Sequence, residues 1–136
     1  MITIGLVAQG DIVRRLTRLL EVREDQEYLV QPFRLHGDAL SHIDKVKRGK
    51  NGARLDVILS HEAMNKVPFG DIPAVYANQN CAIPVIHVFD RETETDLPHV
   101  TSDVIASELY RVIDQVVANI TPECQSPSDE SVLHTS

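Results

Sequence analysis

The feature that most constrains this chain is the run Leu55-Asp56-Val57-Ile58-Leu59-Ser60-His61, mostly apolar and ending in a polar pair. A continuous apolar run this short, with β-branched Val57 and Ile58 in it, reads as a strand over Leu55 to Leu59, buried on both faces. Strands of that kind belong to parallel sheets covered by helices on either side. In such sheets sites gather beyond the carboxyl ends of the strands. Ser60 and His61 are therefore expected at that edge.

The rest of the chain supplies the partners such a strand needs. Ile2 to Val7 reads as a first strand, broken by Ala8-Gln9-Gly10. Asp11 stands where an N-cap belongs, ahead of Ile12, Val13, Leu16, Leu19 and Leu20 on one helical face. Arg14, Arg15 and Arg18 fall on the solvent side of that helix. A charged connector, Glu24 to Glu27, leads to a strand over Tyr28 to Leu35, and Pro32, which cannot donate to a ladder, places it at an edge. Gly37-Asp38 opens a second helix through about Lys47, with Leu40, Ile43 and Val46 inward, and the turn residues Arg48 to Gly52 stop it.

After the central strand a short helical turn is expected over Glu62 to Lys66. Pro68, Gly70 and Pro73 make a loop, and a helix resumes near Ala74 to Asn78. Cys81 to Phe89 reads as a fourth strand with its proline near the start. Asp90 to Asp96 is an acidic loop without apolar periodicity, and His99-Val100-Thr101 makes a very short fifth strand. Asp103 is expected to cap the last helix. Its broad apolar stripe holds Ile105, Leu109, Val112, Ile113, Val116, Val117 and Ile120, and Pro122 ends it. Residues 122–136, rich in Ser, Pro and acid, read as a disordered tail or linker beyond a domain of residues 1–121.

Alternating strands and helices imply βαβ units with right-handed crossovers. The expected architecture is α/β, a flavodoxin-like three-layer sandwich with strand order 2-1-3-4-5. Its crevice, at the ends of strands 1 and 3, would be lined by Gln9, Gly10, Ser60 and His61, with Asp90 beside it.

Composition removes several function classes. Aromatic residues make up 4% of the 136 and Trp is absent, so the core must be aliphatic. A net charge of −7 argues against nucleic acid or an anionic membrane as a partner, since both need a basic footprint. Cys81 and Cys124 lie far apart and outside any CxxC pair, which fits a reducing cytoplasm and no zinc site. The N-terminus lacks a basic n-region and an apolar h-region, so no signal peptide is expected. No run reaches the ~18 apolar residues of a membrane span.

Motifs with chemistry of their own are scarce. Gly5 and Gly10 do not make GxGxxG, and there is no Walker A sequence. Ser60 has no flanking glycines for a nucleophile elbow. The spacing of His36, His42, His61, His87, His99 and His134 carries no metal signature, so no metal or cofactor is expected. His61 follows a strand, as a phosphorylated histidine would, but Glu62-Ala63-Met64 offers neither a glycine nor a positive charge to cradle phosphate.

At this point the residues resemble a response-regulator receiver domain of the CheY-like family. Asp56-Val57-Ile58-Leu59-Ser60-His61-Glu62-Ala63-Met64 is similar to the receiver's third strand and turn. Pro84-Val85-Ile86-His87-Val88-Phe89 is similar to its fourth strand, and Ser107-Glu108-Leu109 with the following stripe to its last helix. The resemblance implies positions for a phosphorylation site and shows that they are changed. Where a receiver has an acidic pair for Mg²⁺, this chain has Ala8-Gln9-Gly10, with Asp11 as a remnant. The phosphorylated aspartate falls on His61, the hydroxyl residue on Phe89 and the lysine near Ser102. About a dozen residues separate strand 4 from the last helix, so the fourth helix is replaced by a loop, as in the pseudo-receiver of the cyanobacterial clock.

Mg²⁺ wants carboxylate oxygens, and without it phosphoryl transfer loses most of its catalysis. The resemblance therefore implies a non-enzymatic pseudo-receiver in signalling, without aspartyl phosphorylation. It would engage a protein partner, or itself, through the last helix and the Asp90–Asp96 loop. The alternative is a phosphocarrier or small-molecule sensor of the same fold, with Gln9, Gly10, Ser60 and His61 as its site.

Overall fold

A computed structural model describes residues 1–49, 52, 54–64, 71–77 and 83–118. Five strands form one sheet in the order β2-β1-β3-β4-β5, and every neighbouring pair is parallel. The strands are β1 (Ile2–Val7), β2 (Tyr28–Phe33), β3 (Val57–His61), β4 (Val85–Phe89) and β5 (His99–Thr101). The helices are α1 (Asp11–Glu21), α2 (His36–Lys47), α3 (Asp71–Ala77) and α4 (Ala106–Ala118), with a 3-10 turn at Glu62–Met64. The flavodoxin-like order expected from the sequence is the one observed, and residues 90–98 form a loop with no helix between β4 and β5.

Two aliphatic layers sandwich the sheet. On one face Ile4, Leu6, Leu59, Ile86 and Val88 pack against Leu16 and Leu20 of α1 and Leu109 and Ile113 of α4. On the other, Val7, Ile58 and Val85 meet Ala39 and Ile43 of α2 and Tyr76 of α3. The alternation along β1 and β3 assigns successive residues to opposite layers. Every residue of β3 and β4 is buried. Gly5 makes this possible on the α2 side. A Cβ there would stand 2.8 Å from Ile58 Cδ1 and 3.1 Å from Leu55 Cδ1, so the glycine leaves room for both side chains.

Local boundaries differ from the sequence reading where side chains find other work. Asp11 is the first helical residue rather than the N-cap. Gly10 takes the cap position at φ 82°, a conformation that suits glycine, and no side chain caps the helix. Arg15 is not simply solvated: its guanidinium donates to the carbonyls of Ser102 (2.9 Å) and Val104 (2.8 Å), tying α1 to the segment after β5. β2 ends at Phe33, two residues early, because Leu35 becomes the N-cap of α2 and its carbonyl accepts the amides of Asp38 and Ala39. Pro32 is exposed on this edge strand, as expected.

In α2, Ala39 and Ile43 are the buried residues, while Leu40 and Val46 are only half-buried. β3 starts two residues late, at Val57. Asp56 instead anchors it from outside: its carboxylate accepts the Thr3 amide at 2.8 Å, and its own amide donates to the Thr3 carbonyl at 2.8 Å. β4 begins at Val85, after Pro84, rather than at Cys81. α3 begins at Asp71, so Pro73 lies in its first turn, where a missing amide hydrogen leaves no bond unmade. α4 begins at Ala106, three residues after Asp103, which instead accepts a bond from Thr101 Oγ1 (2.6 Å). Ile105 is therefore outside the helix and 66% exposed, not part of its apolar stripe. Ile120, Pro122, both cysteines and the tail of residues 122–136 lie outside the described residues.

At the amino end of the sheet, Arg23 fastens three elements. Its guanidinium donates to the carboxylates of Asp25 (2.7 Å) and Asp114 (2.9 Å) and to Tyr28 Oη (2.6 Å), and lies 4.7 Å from the centre of the Tyr110 ring.

Truncating the centre of this core tests the architecture. Leu59 is fully buried in the middle strand. Leu59→Ala is expected to lower the unfolding free energy by about 2–5 kcal/mol, read as a fall in the urea midpoint with an unchanged slope.

Candidate functional site

The carboxyl edge of β1 and β3 is where the fold places a site, and four residues were expected there. Gln9 and Gly10 are exposed, just past β1, and Gln9 Nε2 donates to the Arg34 carbonyl at 3.1 Å. With Ala8, Phe33 and Arg34 they border a cavity of about 450 Å³ between the ends of β1 and β2. Ser60 and His61 are not beyond β3 but are its last two residues, and both are buried. Being successive in a strand, their side chains leave on opposite faces. The four residues are thus divided among three environments.

Ser60 faces α2 and α3. Its Oγ lies 3.0 Å from His36 Nε2, and His36 Nδ1 lies 2.8 Å from Tyr76 Oη. Ser60 and Tyr76 are fully buried, and burial pushes the Tyr76 hydroxyl above the usual phenol range, so it remains a protonated donor. The serine is therefore part of a buried hydrogen-bond network rather than an exposed nucleophile.

His61 makes the tightest polar arrangement at this edge. Its Nε2 stands 2.7 Å from Asp90 Oδ1, and the Asp90 amide donates to Glu62 Oε2 at 2.6 Å. The His61 partner holds the Asp90 carboxyl below the usual carboxylate range. A carboxylate can only accept, so the proton of this bond is carried by His61 Nε2. Nδ1 is buried and has no hydrogen-bond partner among the described residues. The pair fixes the start of the 90–98 loop to the end of β3. The sequence placed Asp90 near this crevice, but its bond to His61 could not be read without the β3–β4 register that aligns His61 with Val88.

The Mg²⁺ site implied by the receiver resemblance does not fit these residues. The Asp11 carboxylate is fully exposed and 3.9 Å from the Arg14 guanidinium, and Asp90 is engaged by His61. Among the described residues no group of three His, Cys, Asp or Glu side chains could hold a metal ion. Among the same residues no helix is long and apolar enough to cross a membrane.

No protein-family model matches the sequence, and no curated protein matches it. Solved structures do match in shape. The N-terminal domain of a response regulator/sensory box/GGDEF protein from Carboxydothermus hydrogenoformans superposes with a TM-score of 0.62 at 15% identity, over 87% of this chain and 94% of that one. A response regulator in red light signalling from R. palustris gives 0.61 at 10% identity, over 85% and 90%. The phosphorylated cyanobacterial phytochrome response regulator RcpA gives 0.58 at 18% identity, over 84% and 89%.

The chain has the receiver fold. At these identities the likeness is one of architecture. Within the receiver fold, the end of β3 is occupied here by the His61–Asp90 pair.

Removing the carboxylate tests what the pair does. Asp90→Ala is expected to raise amide exchange across residues 90–98 several-fold. Global stability should change by less than about 1 kcal/mol, because the Asp90 side chain is 58% exposed. Hydrogen exchange and a urea melt on the same variant measure both.

Proposed function

We propose that this chain is a non-enzymatic pseudo-receiver, a regulatory or protein-interaction domain in signalling that works without aspartyl phosphorylation. The observation that carries this reading is the His61–Asp90 pair. A receiver needs a free carboxylate at the end of its third strand, beside an acidic pair that holds Mg²⁺. Here an imidazole takes that position and its ring is bonded to the Asp90 carboxylate. The residues aligned with the hydroxyl and lysine positions, Phe89 and Ser102, supply no side-chain hydroxyl and no cation respectively.

What remains is a surface. The 90–98 loop and α4 border a shared cavity of about 680 Å³, with Asp96, Leu97 and Pro98 on one side and Arg111 and Gln115 on the other. A mixed polar and apolar groove beside an acidic loop suits a protein partner or a second copy of this chain. The solved neighbours are described as response regulators, which is consistent with a signalling setting.

Beryllofluoride with Mg²⁺ tests the loss of phosphorylation. No amide shift centred on His61 or Asp11 is expected. A saturable response there would overturn the reading, as would a base-stable, acid-labile phosphohistidine that vanishes in His61→Ala. Light scattering across a concentration series then separates self-association from a requirement for another protein.

A further inference from the structure

The sheet face under α2 and α3 carries a row of imidazoles centred on His87, a residue that the docking reading does not use. Ser60 of β3, His87 of β4 and His99 of β5 are register partners on three adjacent strands. In-register residues on neighbouring strands project to the same face. His36, the first residue of α2, joins the row through Ser60, and Tyr76 of α3 joins it through His36. His87 is fully buried. Its ring lies 6.1 Å from that of Phe89, which packs edge-on against His99 at 5.8 Å.

A proton entering this row meets other imidazoles on both sides. Among the described residues, the polar and titratable groups on or beside this face include His36 and His42 from α2, Tyr76 from α3, Ser60 from β3, and His99 and Thr101 from β5, while Glu92, Asp96 and Asp103 border the cavities that His99 also lines. The ring of His99 is held to the 90–98 loop, with Nδ1 2.8 Å from the Leu97 carbonyl. The carboxylate of Asp90, which begins that loop, is engaged by His61. Burial first, then His36 and His99, pull the His87 pKa down to about 4. The folded state thus keeps His87 neutral where an opened segment would take up a proton. Stability from this source is fully present above the ordinary value near 6.5 and is lost as pH falls from there toward 4.

The geometry also indicates what opens first. β5 has three residues, pairs with β4 alone, and lies at the edge of the sheet. The other edge strand, β2, is matched to β1 over six register pairs. Beside the ladder, β5 is fastened by the His87 amide to the Pro98 carbonyl (2.9 Å) and the Ser102 amide to the Phe89 carbonyl (2.7 Å). The 90–98 loop that leads into it contains no helix. Elements with few supporting bonds open below the global unfolding free energy.

We propose that the His36–Ser60–His87–His99 row is an acid-sensitive latch: protonating His87 within it releases β5 and the 90–98 loop from β4 while β1, β2 and β3 stay paired. The latch does not depend on what docks to that loop, and it is measured on the chain alone.

Amide exchange on the full chain, expressed as protection factors at pH 7 and pH 5, tests it. Protection at the His87 and Ser102 amides is expected to fall on the order of ten-fold relative to Ile4 and Leu6. In His87→Phe that selective fall disappears. If His87→Phe does not fold, His87→Gln is read in the same way. An equal fall across the whole sheet, no fall at all, or the same local fall in the folded variant would each overturn the latch.

Discussion

Burial of β3 on both faces is the constraint from which the rest of this structure follows. A strand with no solvent face cannot use polar alternation and must be paired on both edges and covered above and below. β1 and β4 supply the edges; α1 and α4 cover one face, and α2 and α3 the other. Because all pairs are parallel, each crossover must pass over a face; α1, α2 and α3 lie in three of them, and the 90–98 loop makes the fourth without a helix. The near-absence of aromatics makes this core aliphatic, and Gly5 is the concession that lets Ile58 and Leu55 close over β1.

The same burial gives the polar residues of the sheet their character. Ser60, His61 and His87 lie in strands that exclude water, so each is governed by the groups within hydrogen-bond or ring distance. Ser60 is absorbed into a network with His36 and Tyr76, and His61 is held by Asp90. Open α/β sheets ordinarily place their sites at this edge. Here the imidazole of His61 spends its Nε2 proton on a loop carboxylate, so the pair serves as a fastening between β3 and the 90–98 loop. Arg15 and Arg23 make comparable fastenings elsewhere, one to the carbonyls after β5 and one to two carboxylates and two tyrosines. The polar interactions of this domain are concentrated where connections meet the sheet.

Much of the architecture is legible in the chain. β1 and β5 have the bounds that their apolar residues and flanking breakers indicate, and the missing helix between β4 and β5 follows from the dozen residues available. The displaced boundaries share a cause. At Asp11, Asp56 and Asp103, short acidic side chains look like caps or strand members in sequence. In the fold Asp56 instead takes up the Thr3 amide and Asp103 the Thr101 hydroxyl, while Gly10 takes the cap position expected of Asp11. The site was less legible, because Gln9, Gly10, Ser60 and His61 are close in topology yet diverge in direction.

Periodicity and short-range chemistry alone determined that this chain would form a doubly covered parallel sheet of five strands, since burial on two faces leaves a one-dimensional trace in residue type. Only the tertiary structure decided that His61 would meet Asp90, that Ser60 would meet His36, and that His87 would lie between Ser60 and His99. Those meetings depend on strand register and on which face each residue takes, and residues 12 to 29 positions apart carry no local mark of either.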